Sequence, residues 1–224
     1  MLKETEYYEV ISINDEHHWH QERTKGIGGS DAGIICGLSK YKTPYELWEE
    51  KTGLKVPKFQ TSKAIDLGNR LEPVLFSMFK ESFSDEYEII DTKNISLVSK
   101  KYPFMRANLD GALVMRDRDE LGVLEIKTTT IMNKSMLELW QNQVPQTYYC
   151  QILHYLIVTG FKYAILYAWI RFPFWDKAEL RKYEFHVEDE QIQEDMEFLI
   201  EKESEFWMKV RLKTPPKFIE LKID

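Results

Sequence analysis

The chain has 224 residues, which fits one large domain or two small ones and is long enough to bury a core. Hydrophobic residues make up 43% of it, which excludes a disordered chain, and no apolar run approaches the roughly 20 residues of a membrane helix. The formal net charge of −7 does not predict a nucleic-acid ligand, but it does not exclude one, because net charge ignores where the charges lie.

Helices are predicted for most of the first part of the chain. A short helix is expected over residues 15–23, followed by a glycine-rich turn, KGIGGSDAG, in which Ser30 is placed to cap the next helix. Residues 43–53 combine a threonine cap, a proline at the first helical position, a capping-box glutamate and a closing glycine. Residues 62–83 repeat large apolar side chains every four residues, which predicts a long amphipathic helix.

Strands are predicted for the centre of the chain, and helices and strands alternate after it. The predicted elements are a β-rich stretch over 87–116, a strand over 121–129, a helix over 145–159, strands over 163–170 and 182–187, and a helix over 190–211. This order predicts an α/β (α+β) fold with a central mixed β-sheet flanked by helices. Proline, glycine and serine never cluster enough to mark a linker, so we expect a single domain over residues 1–224.

The strand GVLEIKTTT carries two charges among apolar residues. Glu125 and Lys127 are two residues apart, so their side chains point to the same face. The polar stretch before this strand predicts a hairpin turn centred on residues 117–118. Such a hairpin pairs Asp110 with Glu125 and Asn108 with Lys127, and paired residues share a face. The sequence therefore places two carboxylates and an ammonium together.

Two interpretations of this cluster remain open. A salt bridge at the end of a strand would account for the pair Glu125 and Lys127. Alternatively, two carboxylates and a backbone carbonyl are the hard oxygen ligands that suit Mg²⁺ or Mn²⁺, and the ammonium would orient a water or offset phosphate charge. Glu72, in the helix 62–83, is either a solvated edge residue or a further ligand for the same metal.

One face of the helix 145–159 is polar and aromatic. Gln151 and Tyr155 lie four residues apart, hence on one side of the helix, and Tyr148 shares that side. Such side chains suit a strand of nucleic acid, or simply the wet edge of the core.

Several motifs occur together in the order typical of one family. They are WHQERTKGIGGSDAGIICGLSKYKTPYELWEEKTG, LGNRLEPVLF, NLDG followed by LEIKTT, and QILHY. With them the sequence resembles the YqaJ and phage lambda exonuclease group, within the restriction-endonuclease-like PD-(D/E)XK superfamily. The resemblance runs from about Trp19 to the strand 163–170. It departs from the superfamily pattern at Leu109, where a proline usually precedes the motif aspartate.

The resemblance implies a catalytic role for each matching charged residue. Asp110, Glu125 and the backbone carbonyl of Ile126 would bind divalent metal, with two Mg²⁺ ions expected and Mn²⁺ as a possible substitute. Lys127 would act on the attacking water, and Glu72 would help to hold a metal from its helix.

The resemblance also implies residues that bind the substrate. Gln151 and Tyr155 match a Q-x-x-x-Y motif near the substrate strand. Arg23 and Ser30 match positions that receive a 5′-phosphate in lambda-like exonucleases. The guanidinium of an arginine can form two parallel hydrogen bonds to one phosphate, and a serine near a helix N-terminus suits an anion.

The implied function is a Mg²⁺-dependent 5′→3′ exonuclease on linear double-stranded DNA that leaves 3′ single-stranded tails for phage-type recombination by strand annealing. The implied partners are a single-strand annealing protein and two further copies in a homotrimeric ring. A structure-specific or restriction-like endonuclease and a non-catalytic DNA-binding relative are the alternatives. No secretory signal is visible, so we expect a cytoplasmic protein, in the bacterial host if the chain is phage-encoded.

Overall fold

The computed structural model describes residues 2–56 and 62–217. Its elements in chain order are β1 (Tyr8–Ser12), α1 (Glu16–Thr24), β2 (Ile27–Gly28), α2 (Gly29–Ile35), α3 (Pro44–Lys51), α4 (Lys63–Ser82), β3 (Tyr87–Ile90), β4 (Ile95–Ser99), β5 (Met105–Ala107), β6 (Gly111–Met115), β7 (Glu120–Thr130), α5 (Lys134–Glu138), α6 (Gln146–Thr159), β8 (Tyr163–Phe172), β9 (Lys177–His186) and α7 (Glu190–Arg211). A single 3₁₀ turn, Pro173–Trp175, links β8 to β9.

The described strands form two mixed sheets. The larger sheet has the order β3-β6-β7-β8-β9, in which only β7 and β8 run parallel, and the smaller has the order β1-β4-β5-β2. The helices α5 and α6 make the crossover that parallel neighbours require. The predicted class, a mixed β-sheet flanked by helices, is confirmed. The second sheet was not predicted, because β1 and β2 are too short to show a clear alternation.

Helices cover both faces of the larger sheet. Leu75 of α4 packs in one apolar cluster with Leu124 of β7. On the opposite face, Ile152 of α6 packs with Val123 in another cluster. Burying each such side chain contributes about 1.5–3 kcal/mol to stability. Because successive residues of a strand alternate between faces, Glu125 points toward α6.

The β6–β7 hairpin has the predicted register. Gly111 pairs with Leu124, and Met115 pairs with Glu120, so the turn is centred where the sequence placed it. The ladder begins at Gly111, however, so the predicted pairings of Asp110 with Glu125 and of Asn108 with Lys127 both lie outside it. The reason is that β5 belongs to the smaller sheet, so the chain crosses between the two sheets at residues 108–110.

The helix ends agree with the sequence signals except at α2. The α3 cap forms both bonds of the capping box between Thr43 and Glu46. The N-cap of α2 is Gly28 rather than Ser30, because this helix begins earlier than the sequence suggested. Gly28 has no side chain to accept a bond, and its N–H donates instead to Asp31 Oδ2 at 3.0 Å. None of the helices within residues 2–56 and 62–217 combines the length and the apolar composition of a membrane span.

Candidate active site

Glu125 and Lys127 lie side by side on β7, as the strand periodicity predicts. The Glu125 side chain is buried, and Lys127 Nζ donates a hydrogen bond to its Oε1. The ammonium also lies 5.0 Å from the ring centroid of Tyr148 on α6. The salt bridge that the sequence left open is therefore formed, but it satisfies only one of the two carboxylate oxygens.

Asp110 brings a second carboxylate to the same place. It precedes β6 by one residue, and its Oδ2 accepts a hydrogen bond from the N–H of Ile126 at 2.7 Å. Burial, and then the charge of Asp110, raise the pKa of Glu125 to about 8. Burial also raises the pKa of Asp110, although the charge of Lys127 opposes this shift. Two buried carboxylates thus share one ammonium, which leaves the cluster short of positive charge.

The unpaired oxygen of Glu125 is the clearest sign of a missing cation. Among the described residues, Glu125 Oε2 is buried and has no hydrogen-bond partner. Leaving a buried carboxyl oxygen without a partner is costly, and a divalent cation would satisfy it. The carboxylates of Asp110 and Glu125 and the carbonyl of Ile126 are hard oxygen donors of the kind that Mg²⁺ takes. The residues present therefore fit a Mg²⁺ ion.

Glu72 approaches this cluster from α4. Partial burial, and then the charge of Asp110, raise the pKa of Glu72. One turn earlier, a Cβ on Gly68 would lie 3.1 Å from Thr128 Oγ1, so the glycine lets α4 come close to β7. Within residues 2–56 and 62–217, no three His, Cys, Asp or Glu side chains form a group that would hold a metal. Glu72 itself is exposed, so it lies at the rim of the cluster.

Gln151 and Tyr155 share one face of α6 as predicted, and this face points into the protein. Gln151 Nε2 donates to Glu125 Oε1 at 2.7 Å and to Tyr155 Oη at 2.9 Å. Tyr155 Oη donates in turn to the backbone carbonyl of Asn108 at 3.0 Å. Both side chains are buried, so in this structure they hold Glu125 and the crossing segment in place.

Arg23 and Ser30 are in contact although they belong to different helices. Arg23 Nη2 donates to Ser30 Oγ at 2.9 Å, and its guanidinium carbon lies 4.6 Å from the ring centroid of Trp19. Ser30 is exposed on the first turn of α2. The two residues that the resemblance assigns to a 5′-phosphate therefore lie together, at a position open to solvent.

Gly29 joins the Arg23–Ser30 pair to the carboxylate cluster. A Cβ at this position would lie 2.5 Å from Tyr155 Cε1 and 3.0 Å from Gln151 Cγ, closer than side-chain atoms pack. Glycine alone therefore lets the start of α2 rest against the two side chains that hold Glu125. Gly29 therefore lies between Ser30 and the side chains that hold Glu125.

Two buried charged residues near Arg23, Asp31 and Lys51, were not predicted from the sequence. Lys51 Nζ lies 2.7 Å from Asp31 Oδ2, and both side chains are only 7% exposed. The same ammonium donates to the backbone carbonyl of Arg23 at 2.9 Å. No sequence pattern predicts an ion pair between two residues that are 20 positions apart and lie on separate helices. The one available signal was a lysine at the end of α3 on a face that otherwise turns inward.

Comparisons with known proteins agree with the motifs. The profile of the YqaJ-like viral recombinase domain matches residues 18–162. Uncharacterized protein YqaJ of Bacillus subtilis (strain 168) is 38% identical over 163 residues, which are 71% of this chain and 48% of that protein. The chain therefore spans about half the length of this relative.

Solved structures with the same fold include exonucleases. The alkaline exonuclease LHK-Exo from Laribacter hongkongensis superposes with a TM-score of 0.61 at 15% identity, over 88% of this chain and 94% of that one. Its complex with dAMP gives a TM-score of 0.65 over the same shares. A phage related exonuclease from Haemophilus somnus 129PT gives 0.56 at 9% identity, over 87% of this chain and 99% of that one. At these identities the likeness establishes the fold alone, whereas the profile match and the Bacillus relative establish the family. The chain belongs to the family of YqaJ-like viral recombinase domains.

Proposed function

We propose that the chain is a Mg²⁺-dependent DNA exonuclease that digests linear double-stranded DNA from 5′ to 3′ and leaves 3′ single-stranded tails. The observation that carries the proposal is the buried, unpartnered Oε2 of Glu125 beside the carboxylate of Asp110. Family membership and a fold shared with exonucleases support the nuclease class.

The metal would be held by Asp110, Glu125 and the carbonyl of Ile126, with Glu72 at the rim; two ions are expected. When bound, Mg²⁺ supplies the positive charge that gathers a water and the scissile phosphate and neutralises charge developing between them. Gln151 fixes the orientation of Glu125 through its 2.7 Å hydrogen bond. These side chains are held before substrate arrives, so little reorganisation is needed.

Lys127 has the protonation state that its role requires. Burial alone would lower its pKa, but the charges of Glu125 and Asp110 outweigh burial and raise the pKa. The side chain therefore stays an ammonium at neutral pH. As an ammonium it would orient the attacking water as a hydrogen-bond donor and offset charge on the phosphate.

Arg23 and Ser30 supply the preference for a 5′ end. A guanidinium forms charge-assisted hydrogen bonds with phosphate, and the Ser30 hydroxyl beside it adds a donor. Gly29, the neighbour of Ser30, packs against Tyr155, whose partner Gln151 bonds Glu125, so a terminal phosphate held by this pair would lie near the carboxylate cluster. An enzyme that must hold an end before it cuts acts as an exonuclease.

The tails would be passed to a single-strand annealing protein for recombination, and three copies of the chain would form a ring around the DNA. A ring also reconciles the net charge of −7 with a DNA substrate, because only the residues lining its channel need to be basic.

The deciding experiment is digestion of linear duplex labelled at either the 5′ or the 3′ end, with Mg²⁺ and with EDTA, beside closed circular duplex. We expect early release of the 5′ label, no digestion in EDTA and an intact circle. Cleavage of the circle would favour the endonuclease alternative. An absence of metal-dependent hydrolysis of any substrate would leave a DNA-binding protein without catalysis.

A further inference from the structure

Asp31 and Lys51 form a buried ion pair directly behind the Arg23–Ser30 pair. Asp31 follows Ser30 in the first turn of α2, and Lys51 is the last residue of α3. The bridge between them is 2.7 Å long, and each side chain is only 7% exposed. Asp31 Oδ2 also accepts the N–H of Gly28, so this carboxylate fixes the start of α2.

The charge of Asp31 is a problem for an anion site. A carboxylate next to Ser30 repels an incoming phosphate, and it attracts the guanidinium of Arg23. Burial works against ionisation of Asp31, but the charges of Lys51 and then Arg23 outweigh it and lower its pKa, so the group is a carboxylate. Lys51 is the nearer cation and bonds it directly, which leaves the Arg23 guanidinium on the Ser30 hydroxyl.

Lys51 also holds the main chain of Arg23. Its ammonium donates to the Arg23 carbonyl at 2.9 Å, at the end of α1. The Lys51 ammonium thus bonds both the backbone of Arg23 and the carboxylate of Asp31, which would otherwise attract the Arg23 guanidinium. In the described part of the chain the guanidinium itself contacts a hydroxyl and a Trp19 ring rather than a carboxylate.

We propose that Lys51 is a positioning residue for the terminal-phosphate site, where it neutralises Asp31 and anchors Arg23 so that the guanidinium stays free for a 5′-phosphate. The inference rests on the proposed function, because it presumes that Arg23 and Ser30 receive a DNA end. The competing explanation is that the ion pair only ties α3 to α2. The two explanations differ in what they expect of phosphate selectivity, as distinct from stability.

The test measures binding, so that it does not depend on catalysis. Every variant is made in the full chain with Glu125→Gln, and fluorescence anisotropy gives its affinity for one labelled duplex with either a 5′-phosphate or a 5′-hydroxyl, at a fixed salt concentration. The quantity compared is the ratio of the two affinities. The variants are Lys51→Met and Asp31→Asn. Lys42→Met is the matched control, because Lys42 is likewise paired with an acid at 2.7 Å, Glu50 of α3, but within the described residues it makes no hydrogen bond or ion pair with Arg23.

The two variants should move the ratio in opposite directions. We expect the parent protein to prefer the phosphate by about ten- to a hundredfold, the range for a charge-assisted contact. Lys51→Met should bring the ratio close to one, because Asp31 is then uncompensated. Asp31→Asn should raise the ratio above the parent value, because the amide still accepts the Gly28 N–H while Lys51 adds its charge to that of Arg23. Lys42→Met should leave the ratio unchanged.

A parent-like ratio in Lys51→Met would overturn the proposal, as would a parent protein that binds both ends equally. Removing one partner of a buried pair sometimes prevents folding. If Lys51→Met does not fold, Asp31→Asn decides alone: a raised ratio supports the proposal, and an unchanged or lower ratio overturns it. Failure of the proposed exonuclease would instead show as absent metal-dependent hydrolysis in the wild-type protein, whatever the binding ratios are.

Discussion

Gln151 donates a 2.7 Å hydrogen bond from Nε2 to Oε1 of Glu125, and both side chains are buried. The same nitrogen also donates to Tyr155 Oη at 2.9 Å, which anchors the amide to its own helix. The oxygen that Lys127 bonds is therefore also held by α6. Among the residues that the structure describes, the other oxygen, Oε2, has no hydrogen-bond partner and is available to a cation.

Replacing Gln151 tests whether this helix positions the catalytic carboxylate. Gln151→Ala removes a hydrogen bond to a charged group, worth about 1.5–3 kcal/mol, so turnover should fall about ten- to a hundredfold. The Mg²⁺ concentration for half-maximal rate should also rise, because Glu125 is less well oriented. Steady-state digestion at several Mg²⁺ concentrations measures both effects. Gln143→Ala is the control, since the only partner of that exposed amide in the described part of the chain is the Glu138 carbonyl. Unchanged kinetics in Gln151→Ala would show that Gln151 does not position Glu125.

Asp110 and Glu125 should be needed for catalysis and for stabilisation by metal. Asp110→Asn or Glu125→Gln should abolish cleavage in a folded protein, and the double variant should be scarcely worse than either single one, because the groups act as a unit. Mg²⁺ should raise the melting temperature of the wild-type protein and EDTA should reverse this, since a ligand that binds only the folded state stabilises it. Neither variant should show the rise.

Asp117→Asn is the control for this pair, because Asp117 lies in the turn of the same hairpin, away from the cluster. It should keep both cleavage and the metal-dependent rise in melting temperature. If Asp110→Asn digests DNA at a near-normal rate, the assignment of the metal site is wrong.

The two adjacent glycines at the start of α2 should respond very differently to alanine. A Cβ at Gly29 would overlap the Tyr155 ring at 2.5 Å, whereas the nearest atom to a Cβ at Gly28 is Asp31 Oδ2 at 3.8 Å. Gly29→Ala should displace Tyr155 and Gln151, lower turnover by tenfold or more and lower the melting temperature. Gly28→Ala should change both only slightly. Equal effects of the two substitutions would show that the contact with Tyr155 is unimportant.

Local signals made much of this molecule predictable from its sequence. The register of β6 with β7 followed from the symmetry of one turn. The same reasoning brought Asp110 close to this part of β7, where its carboxylate accepts the N–H of Ile126, the residue after Glu125. The ends of α3 and α7 followed from their capping residues and periodicity. Each of these inferences uses residues close together in the chain, where geometry depends little on the rest of the fold.

Contacts between distant segments were not predictable in this way. The bond from Tyr155 to the Asn108 carbonyl involves a backbone acceptor, which carries no residue-specific signal. The Lys51–Asp31 pair forms only after α2 and α3 have packed together. The segment 108–110 leaves the larger sheet because β5 belongs to the smaller one. The symmetry of a hairpin turn does not show where a strand passes to a second sheet.

His154 and Glu203 form a fully buried pair that should make stability depend on pH. His154 Nδ1 lies 2.9 and 3.0 Å from the two oxygens of Glu203, and Nε2 lies 2.9 Å from the Arg106 carbonyl. Burial tends to lower the pKa of His154, but the carboxylate of Glu203 outweighs it and raises that pKa. Burial raises the pKa of Glu203 as well. Both ring nitrogens face oxygens, so the folded protein keeps one proton between the His154 imidazole and the Glu203 carboxylate. The unfolded chain has already released this proton at the same pH.

The sign of the effect follows from these two upward shifts. Because the folded state binds the proton more tightly, the contribution of His154 is complete below its unfolded pKa of about 6.5 and is lost as pH rises through its folded pKa. The free energy of unfolding should therefore fall with pH, by at most about 1.4 kcal/mol per pH unit for one proton. Urea unfolding in EDTA between about pH 6 and about pH 9 measures this slope. The double variant His154→Gln with Glu203→Gln, in which this pair cannot titrate, should show a shallower fall than the wild-type protein, because Glu125, with its pKa of about 8, still contributes a fall of the same sign. His186→Gln at the exposed His186–Glu184 pair should keep the wild-type slope. Equal slopes in the wild-type protein and the double variant would mean that the buried pair does not hold the proton.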